Sequence, residues 1–190
     1  MKIYAYLIPF IMFFSCGKSI SQQHKYQRDP EWTLADEIYN NEISKKVVTQ
    51  LKRERNLYVC ESGWALKGKE KIQIMHCGFF YYDAVDIDRA RELLLTAGNL
   101  YLTTINENER IRNSLGTYPF QPKNIEVTIF LYNNDRSDPP PEKLQVITMV
   151  NGILEYENRS VETKFLTTIY KETYEEAMAK VNNASQRTPL

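Results

Sequence analysis

Histidine and cysteine are scarce in this chain of 190 residues, which holds two histidines and three cysteines. The sequence also lacks a glycine-rich phosphate loop, a His-Glu-x-x-His motif, a Gly-x-Ser-x-Gly motif, a Cys-x-x-Cys pair and a calcium loop. These absences remove the common sequence signals for nucleotide, zinc, calcium and serine-hydrolase sites. No cofactor and no metal is predicted, and a non-catalytic role is favoured over an enzymatic one.

An excess of charge is also missing, since 24 Lys and Arg residues balance 24 Asp and Glu residues. A dedicated nucleic-acid binder carries a basic surplus, so no nucleic-acid partner is expected. The apolar fraction of 43% and the charged fraction of 25% are those of an average globular domain, which argues against wholesale disorder, collagen and coiled coil. The length suits one domain with a tail.

The first residues have the layout of an export signal. A positively charged start precedes residues 3–14, an uncharged run that is shorter than the roughly 17–25 residues of a membrane-spanning helix. Ser15 and Cys16 follow this run, and the arrangement resembles the lipobox of bacterial lipoproteins. The resemblance implies that Cys16 is thioether-linked to diacylglycerol, that residues 1–15 are removed, and that the lipid binds the protein to a membrane.

Two other interpretations of this segment stay open. Ser15 and Gly17 fit the small-x-small rule for signal-peptide cleavage, which gives a soluble secreted protein that starts at Lys18. A cytosolic protein with an apolar first helix is the third interpretation, although the stretch has no polar face. Residues 16–32 are polar and lack apolar periodicity, so they are predicted to form a flexible tether behind the lipidated Cys16.

Apolar spacing predicts a single domain over residues 33–183, followed by a frayed tail over residues 184–190. The first helix is predicted to begin with Thr33 as its N-cap and to stop at Asn56. Lysines and arginines gather in its last turns, where they suit the helix dipole. This basic end is either a solvated helix end or a contact with an anionic membrane surface.

Further helices are predicted later in the chain. Asp86 caps one whose apolar spacing continues through Gly98, so a helix with a defect is favoured over a strand for residues 100–105. Residues 107–115 are predicted to be helical as well. Thr173 caps the last helix.

Alternating apolar residues predict a sheet, with strands over 57–66, 71–82, 125–131, 144–150, 153–157 and 161–170. Gly68-Lys69 supplies a two-residue hairpin turn, and Asn151-Gly152 is a signal for a hairpin turn or a bulge. Because hairpins replace strand–helix–strand units, the predicted fold class is α+β, an antiparallel sheet of hairpins with helices packed mainly on one face.

The first hairpin has a specific predicted register. A two-residue turn at Gly68-Lys69 pairs residues whose numbers sum to 137, which places Cys60 opposite Cys77. Once Cys16 is used, an even number of cysteines remains in an exported chain, so a Cys60–Cys77 disulfide is predicted. His76 and Cys77 are adjacent and point to opposite faces of a strand, which argues against a metal site or a His–Cys dyad.

The same register places Glu61 opposite His76. A carboxylate that orients an imidazole is a general-base arrangement, so this pair is the candidate catalytic site of the chain. A cross-strand ion pair, or a partly buried histidine with its hydrogen bonds satisfied, is the structural alternative.

The densest aromatic run of the chain, and its candidate partner-binding surface, is Phe79, Phe80, Tyr81 and Tyr82. On a strand one alternate pair packs inward and the other faces outward, where it can anchor a protein, a sugar or a peptide. Coverage of both faces by helices is the alternative. Tyr132 and the proline loop at residues 138–141 form a second candidate, which either binds a partner or only stiffens a hairpin connection.

Taken together, these patterns predict a lipid-anchored cell-envelope protein whose single domain is a binding or assembly module for an envelope protein or peptide. A small envelope hydrolase that uses Glu61 and His76 is one alternative. A soluble secreted factor is the other.

Overall fold

A computed structural model describes residues 30–66 and 71–187. The export signal, Cys16, residues 17–29 of the tether and the Gly68-Lys69 turn lie outside the described residues. The predictions for those segments therefore stay predictions.

The described residues form helical segments at both ends and in the middle, and two groups of consecutive strands between them. The helices are α1 (Pro30–Ile38), a π-helical segment (Tyr39–Ser44), α2 (Lys45–Arg55), α3 (Ile87–Glu107) and α4 (Tyr174–Arg187). The strands are β1 (Tyr58–Leu66), β2 (Ile72–Tyr81), β3 (Ile125–Leu131), β4 (Leu144–Val150), β5 (Ile153–Arg159) and β6 (Leu166–Thr173).

All of these strands lie in one sheet, in the chain order β1-β2-β3-β4-β5-β6. Neighbouring strands are antiparallel except β2 and β3, which are parallel because α3 carries the chain back between them. The predicted α+β class is therefore confirmed. The prediction of an entirely antiparallel sheet of hairpins is wrong at the β2–β3 pair.

The first helix starts earlier than predicted and ends where predicted. It begins at Pro30, so Thr33 lies inside α1 and is not an N-cap. Asn56 ends α2 in the left-handed conformation, with φ of 56°, and its backbone N–H donates to the Leu51 carbonyl. Asparagine tolerates this conformation, which makes it a common helix stop.

The helix α3 is unbroken, and Asp86 caps it through a hydrogen bond of 2.8 Å from the Arg89 backbone N–H to its carboxylate. Residues 100–105 are therefore helical. Gly98 is not a defect, because a Cβ atom at this position would lie 2.3 Å from the Cε of Met149 on β4. The glycine allows the helix to approach the sheet closely.

The sheet has a buried face and a less buried face. Along β3, the odd-numbered residues from Ile125 to Leu131 are buried and the residues between them are half-exposed. On β2, Phe79 is fully buried whereas Phe80 is half-exposed. We call the side of Phe79 the core face and the side of Phe80 the outer face.

The predicted register of the first hairpin is wrong. Glu61 pairs with Gly78 and Ser62 with Cys77, and Cys60 forms a bulge beyond them, between the pairs of Val59 and Glu61. The pair next to the turn, Leu66 with Ile72, already has a sum of 138, and the irregularity between Ala65 and Leu66 raises the sum to 139, two positions from the predicted 137.

The C-terminal half also differs from the prediction in its limits. Residues 107–115 contain only a short 3₁₀ turn at Arg112–Ser114, and β6 runs over Leu166–Thr173 rather than 161–170. The last helix continues to Arg187, beyond the predicted limit at residue 183. Thr173 caps this helix as predicted, accepting a hydrogen bond of 3.2 Å from the Glu176 backbone N–H. Of the two predictions for Asn151 and Gly152, the structure shows the hairpin turn, between β4 and β5, with φ of 52° and 75°.

Candidate functional site

An aromatic cluster forms where the parallel strands β2 and β3 end side by side. Phe80 and Phe130 are direct neighbours in the β2–β3 ladder, and the Tyr132 backbone N–H donates to the Tyr81 carbonyl at 2.9 Å. Side chains on a strand alternate between its faces, so Phe79 and Tyr81 enter the core whereas Phe80 and Tyr82 do not. The predicted split of residues 79–82 into an inner and an outer pair therefore agrees with the structure.

The rings of the cluster touch one another in a continuous path. Ring centroids lie 6.0 Å apart for Phe80–Phe130, 5.7 Å for Phe80–Tyr132, 5.9 Å for Tyr82–Tyr132 and 5.6 Å for Tyr58–Tyr82. These separations are those of favourable aromatic pairs. The aromatic cluster thus consists of Tyr58, Phe80, Tyr82, Phe130 and Tyr132.

Two cations lie at one end of this cluster, beside the neighbouring rings of Tyr82 and Tyr58. The Arg136 guanidinium is 5.5 Å from the centre of the Tyr82 ring, and the Lys52 ammonium is 5.7 Å from the centre of the Tyr58 ring. Tyr58 is 39% exposed, and Tyr82 and Tyr132 are half-buried. The cluster therefore presents ring surface to solvent beside two positive charges.

A cleft of about 330 Å³ opens beside the cluster. It is lined by the aromatic residues Tyr58, Tyr81 and Tyr82 and by the polar residues Asn56, Asp83 and Asn134. This volume is at the lower end of the range for ligand sites, and the mixture of rings with amide groups is typical of them.

The loop after β3 holds its side of the cleft in place. The Asn133 side-chain amide donates to Ser137 Oγ at 2.9 Å and to the Asp138 carbonyl at 3.0 Å. Asp135 accepts hydrogen bonds from the side chain and backbone of Ser137, which lower the pKa of its carboxyl. These contacts fix the loop that carries Arg136.

The proline loop is packed against the sheet. Pro139 is buried, and its carbonyl accepts a hydrogen bond of 3.1 Å from the Gln145 side chain. Tyr132 belongs to the same cluster as Phe80 and Tyr82, so the two partner-binding candidates from the sequence form one site. The proline loop itself stiffens the connection behind that site.

Glu61 and His76 are not directly opposite each other. The His76 ring lies over Gly63, where a Cβ atom would be 2.7 Å from its Cε1, and the Glu61 side chain lies over Gly78. The two side chains are diagonal neighbours on the outer face, and within the described residues no hydrogen bond or ion pair joins them. The structure does not form the contact that the hydrolase hypothesis requires.

The two cysteines of the first hairpin carry free thiols. Cys77 is buried on the core face, and burial raises the pKa of its thiol to about 12. Cys60 is exposed in the bulge, and its Sγ lies 3.2 Å from the place of a Cβ atom on Gly78, which faces outward. The sulfur atoms thus lie on opposite sides of the sheet, and the Cys60–Cys77 disulfide stays a prediction for a rearranged hairpin.

Sequence reasoning missed a buried ionic cluster on the core face. Glu172 on β6 accepts hydrogen bonds of 2.6 Å from Arg91 Nε, 2.6 Å from the Tyr156 hydroxyl and 2.7 Å from Lys180 Nζ. The Glu172 side chain is 1% exposed and that of Arg91 is 6% exposed. We call these four residues the Glu172 network.

The hydrogen bonds in this network decide the charge of Glu172. Burial alone would raise the pKa of its carboxyl, but the donors Lys180, Tyr156 and Arg91 outweigh burial and lower it. Burial and the neighbouring carboxylate raise the pKa of the Tyr156 hydroxyl, so it donates as a neutral group. Since each polar atom of Glu172 has partners, the network joins α3, α4, β5 and β6 rather than offering a vacant site.

No group of three or more His, Cys, Asp and Glu side chains in the described residues is arranged to hold a metal ion. None of the helices in residues 30–66 and 71–187 combines the length and the hydropathy needed to cross a bilayer.

In comparisons with known proteins, no family model, no curated protein and no solved structure matches this chain. A function therefore has to be argued from the geometry of the aromatic cluster and its cleft.

Proposed function

We propose that this protein is a cell-envelope binding module, held at a membrane by a lipid on Cys16, whose aromatic cluster captures an extended segment of a partner protein or peptide. The observation that carries the proposal is a connected set of half-exposed rings with two cations beside Tyr82 and Tyr58. Tyrosine and arginine are among the residue types that concentrate binding energy in protein interfaces.

The proposal includes helices packed mainly on the core face, which leaves the outer face to the ligand. The helix α3 contacts β3, β4 and β5, and α4 contacts α3, β5 and β6. The buried side chains of β3 and Gly98 on α3 lie on that same side. An extended peptide can then lie along the outer face near Phe80 and enter the cleft at Tyr82.

The direction of the N-terminal helix supports a membrane anchor at the far end of the domain. α2 ends at Asn56, beside the cleft, and the helix begins at Pro30. Near that beginning, Asp36 accepts a hydrogen bond of 3.1 Å from the indole of Trp64, which lies near the other end of β1. A lipid on Cys16 would therefore hold the domain from the end opposite to the aromatic cluster, with the rings directed away from the membrane.

The composition of the cleft favours a peptide over a sugar. The side chains of Asn56, Asn134 and Asp83 can hydrogen-bond a peptide backbone, while Tyr58 and Tyr82 offer surface to apolar side chains. Arg136 and Lys52 add a preference for acidic residues in the ligand.

The test is a selection of random peptides on the purified full chain, followed by affinity measurements on variants. Tyr82→Ala and Tyr132→Ala remove rings of the cluster, and we expect each to weaken the selected peptides by roughly 30-fold, the effect of losing an interface hot spot. Tyr118→Ala is the matched control, because Tyr118 is 47% exposed and lies 4.4 Å from Arg112 outside the cluster. Peptides that bind all four proteins equally would contradict the proposal.

Anchoring at the membrane needs its own test. Mass spectrometry without reduction, on protein from its own host, should find a diacylated N-terminal peptide that begins at Cys16. An unmodified N-terminus near Lys18 would support the soluble secreted factor instead, and an intact Met1 would remove the export argument. The same spectra show whether Cys60 and Cys77 are crosslinked.

A further inference from the structure

Positive charge is concentrated on the exposed side of α2. Five cations and one anion lie in its sequence, so the helix has a net charge of +4 in a chain whose total charge is zero. Its cations are all exposed: Lys45, Lys46, Lys52, Arg53 and Arg55. We call this surface the basic face of α2.

The protein neutralises only part of this charge. Arg53 pairs with Glu54 at 2.7 Å and Lys46 pairs with Glu107 at 3.7 Å, and all four side chains are exposed to solvent. Exposed ion pairs of this kind contribute little. Lys45 has no ion-pair partner within the described residues. The basic face therefore retains an attraction for an anion outside the protein.

The shape and composition of the basic face fit a membrane surface better than a nucleic acid. The sequence of α2 contains no aromatic residue on which a base could stack, and the balanced charge of the whole chain is not that of a nucleic-acid binder. The cations lie along about 16 Å of a convex helix. A surface of anionic lipid headgroups attracts lysine and arginine in such an arrangement.

The basic face points away from the hydrophobic core. Val47 and Leu51 on the other side of α2 are buried in the same core as Phe79, and α2 contacts α3 and β1. Phe80 lies on the outer face of the sheet, away from that core. A bilayer in contact with the basic face would therefore leave the outer face accessible to a ligand.

We propose that the basic face of α2 contacts anionic lipid headgroups and holds the domain against the membrane with its outer face directed away from it. This inference rests on the proposed membrane anchor, which brings a bilayer within reach of α2. The lipid on Cys16 attaches the chain to the membrane, and the basic face orients the domain on it.

The first experiment measures binding of the unlipidated full chain to vesicles of phosphatidylcholine with and without phosphatidylglycerol. The variant Lys45→Gln/Lys46→Gln/Arg53→Gln removes three cations of the basic face and keeps Lys52, which also lies over Tyr58. Each lysine or arginine near an anionic surface strengthens binding roughly fivefold. The affinity for the anionic vesicles should fall at least tenfold, and that for pure phosphatidylcholine should not change.

The matched control removes the same charge from other exposed positions, in the variant Lys123→Gln/Lys143→Gln/Lys171→Gln. It has the same N-terminal segment, so it should bind both kinds of vesicle as the wild type does. Equal losses in the two variants, or a wild type without preference for anionic vesicles, overturn the proposal. So does a DNA duplex that binds the wild type more tightly than the vesicles and loses binding when the basic face is altered.

The second experiment uses the lipidated protein from its own host, reconstituted into the same two kinds of vesicle. A water-soluble reagent that acetylates amines should modify Lys45 and Lys46 several-fold more slowly in the anionic vesicles, whereas Lys143 should react equally in both. Equal rates for all three lysines on a chain with a diacylated Cys16 would overturn the orientation and leave the anchor standing. A chain without lipid on Cys16 would remove the anchor, while the first experiment still decides whether the basic face binds anionic lipid.

Discussion

The aromatic cluster and the Glu172 network both place tyrosine rings beside cationic side chains, but in different surroundings. In the aromatic cluster, the Tyr82 and Tyr132 rings lie 5.9 Å apart and Arg136 lies 5.5 Å from Tyr82. In the Glu172 network, the Tyr156 ring lies 5.6 Å from that of Tyr170, and Lys180 lies 5.0 Å from the Tyr170 ring. The geometry is nearly the same, but only the network surrounds a buried carboxylate.

This difference in burial changes what the residues do. The desolvated carboxylate of Glu172 needs every one of its donors, because an unpaired buried charge is costly. The rings of the aromatic cluster are uncharged and half-exposed, so water can replace any partner they lose. We therefore expect the network to determine stability and the aromatic cluster to determine binding.

The largest effect is expected from Arg91→Met, which preserves much of the side-chain volume but removes a charge that neutralises Glu172. Removal of one partner from a buried ion pair costs about 3–5 kcal/mol. Urea unfolding followed by circular dichroism should show a lower midpoint with an unchanged slope. Arg112→Met removes an arginine that lies 4.4 Å from the exposed Tyr118 ring, and this control should lose less than about 1 kcal/mol. Equal losses would remove the distinction between the two parts.

A smaller effect is expected from Tyr156→Phe, which removes only the hydroxyl that donates to Glu172 at 2.6 Å. A hydrogen bond to a charged group is worth about 1.5–3 kcal/mol. Tyr132→Phe makes the same chemical change in the aromatic cluster, where no described group accepts a hydrogen bond from that hydroxyl. The free energy of unfolding of the Tyr132→Phe variant should stay within about 0.5 kcal/mol of that of the wild type.

Acid should weaken the network in a defined direction. Because the folded state lowers the pKa of Glu172 below its ordinary value of 4.5, this group stabilises the fold above that pH, and the contribution is lost as the pH falls through the folded pKa. The stability difference between wild type and Glu172→Gln should therefore shrink below pH 4.5. A difference that stays constant from pH 7 to pH 3 would show that Glu172 does not titrate in this way.

Glu157 provides the control of opposite sign. Burial and the charge of Glu155 raise the pKa of the Glu157 carboxyl, so its ionisation disfavours the folded state. The variant Glu157→Gln should gain stability relative to wild type at neutral pH and lose this advantage as the pH falls through the raised pKa.

Features with short-range causes could be predicted from the sequence. The stop at Asn56, the caps at Asp86 and Thr173 and the Asn151-Gly152 turn each depend on a few adjacent residues. That Phe79 and Phe80 lie on opposite faces follows from strand alternation alone, although alternation does not say which of the two faces outward. These are the parts of the sequence interpretation that the structure confirms.

Features with long-range causes could not be predicted from the sequence. The register of the first hairpin has no sequence signature, and a shift of two positions, present from Ala65 to Glu61, was enough to separate Glu61 from His76. Arg91 and Glu172 are 81 positions apart, so no spacing connects them. The predicted last strand ended at residue 170. The alternation of side chains along that strand was therefore not extended to Glu172, and its carboxylate was not placed on the core face.

The smallest effect on stability is expected from Arg136→Met, which tests whether the aromatic cluster determines binding and not stability. The guanidinium lies 5.5 Å from the Tyr82 ring on an exposed loop, where a cation–π contact is worth about 0.5–1 kcal/mol. The loop is held by Asn133 and Asp135 and does not depend on Arg136, so unfolding should change by no more than this amount. The affinity for acidic peptides should nevertheless fall several-fold and lose much of its dependence on salt. A variant that loses stability without losing affinity would assign Arg136 to the fold and not to the binding surface.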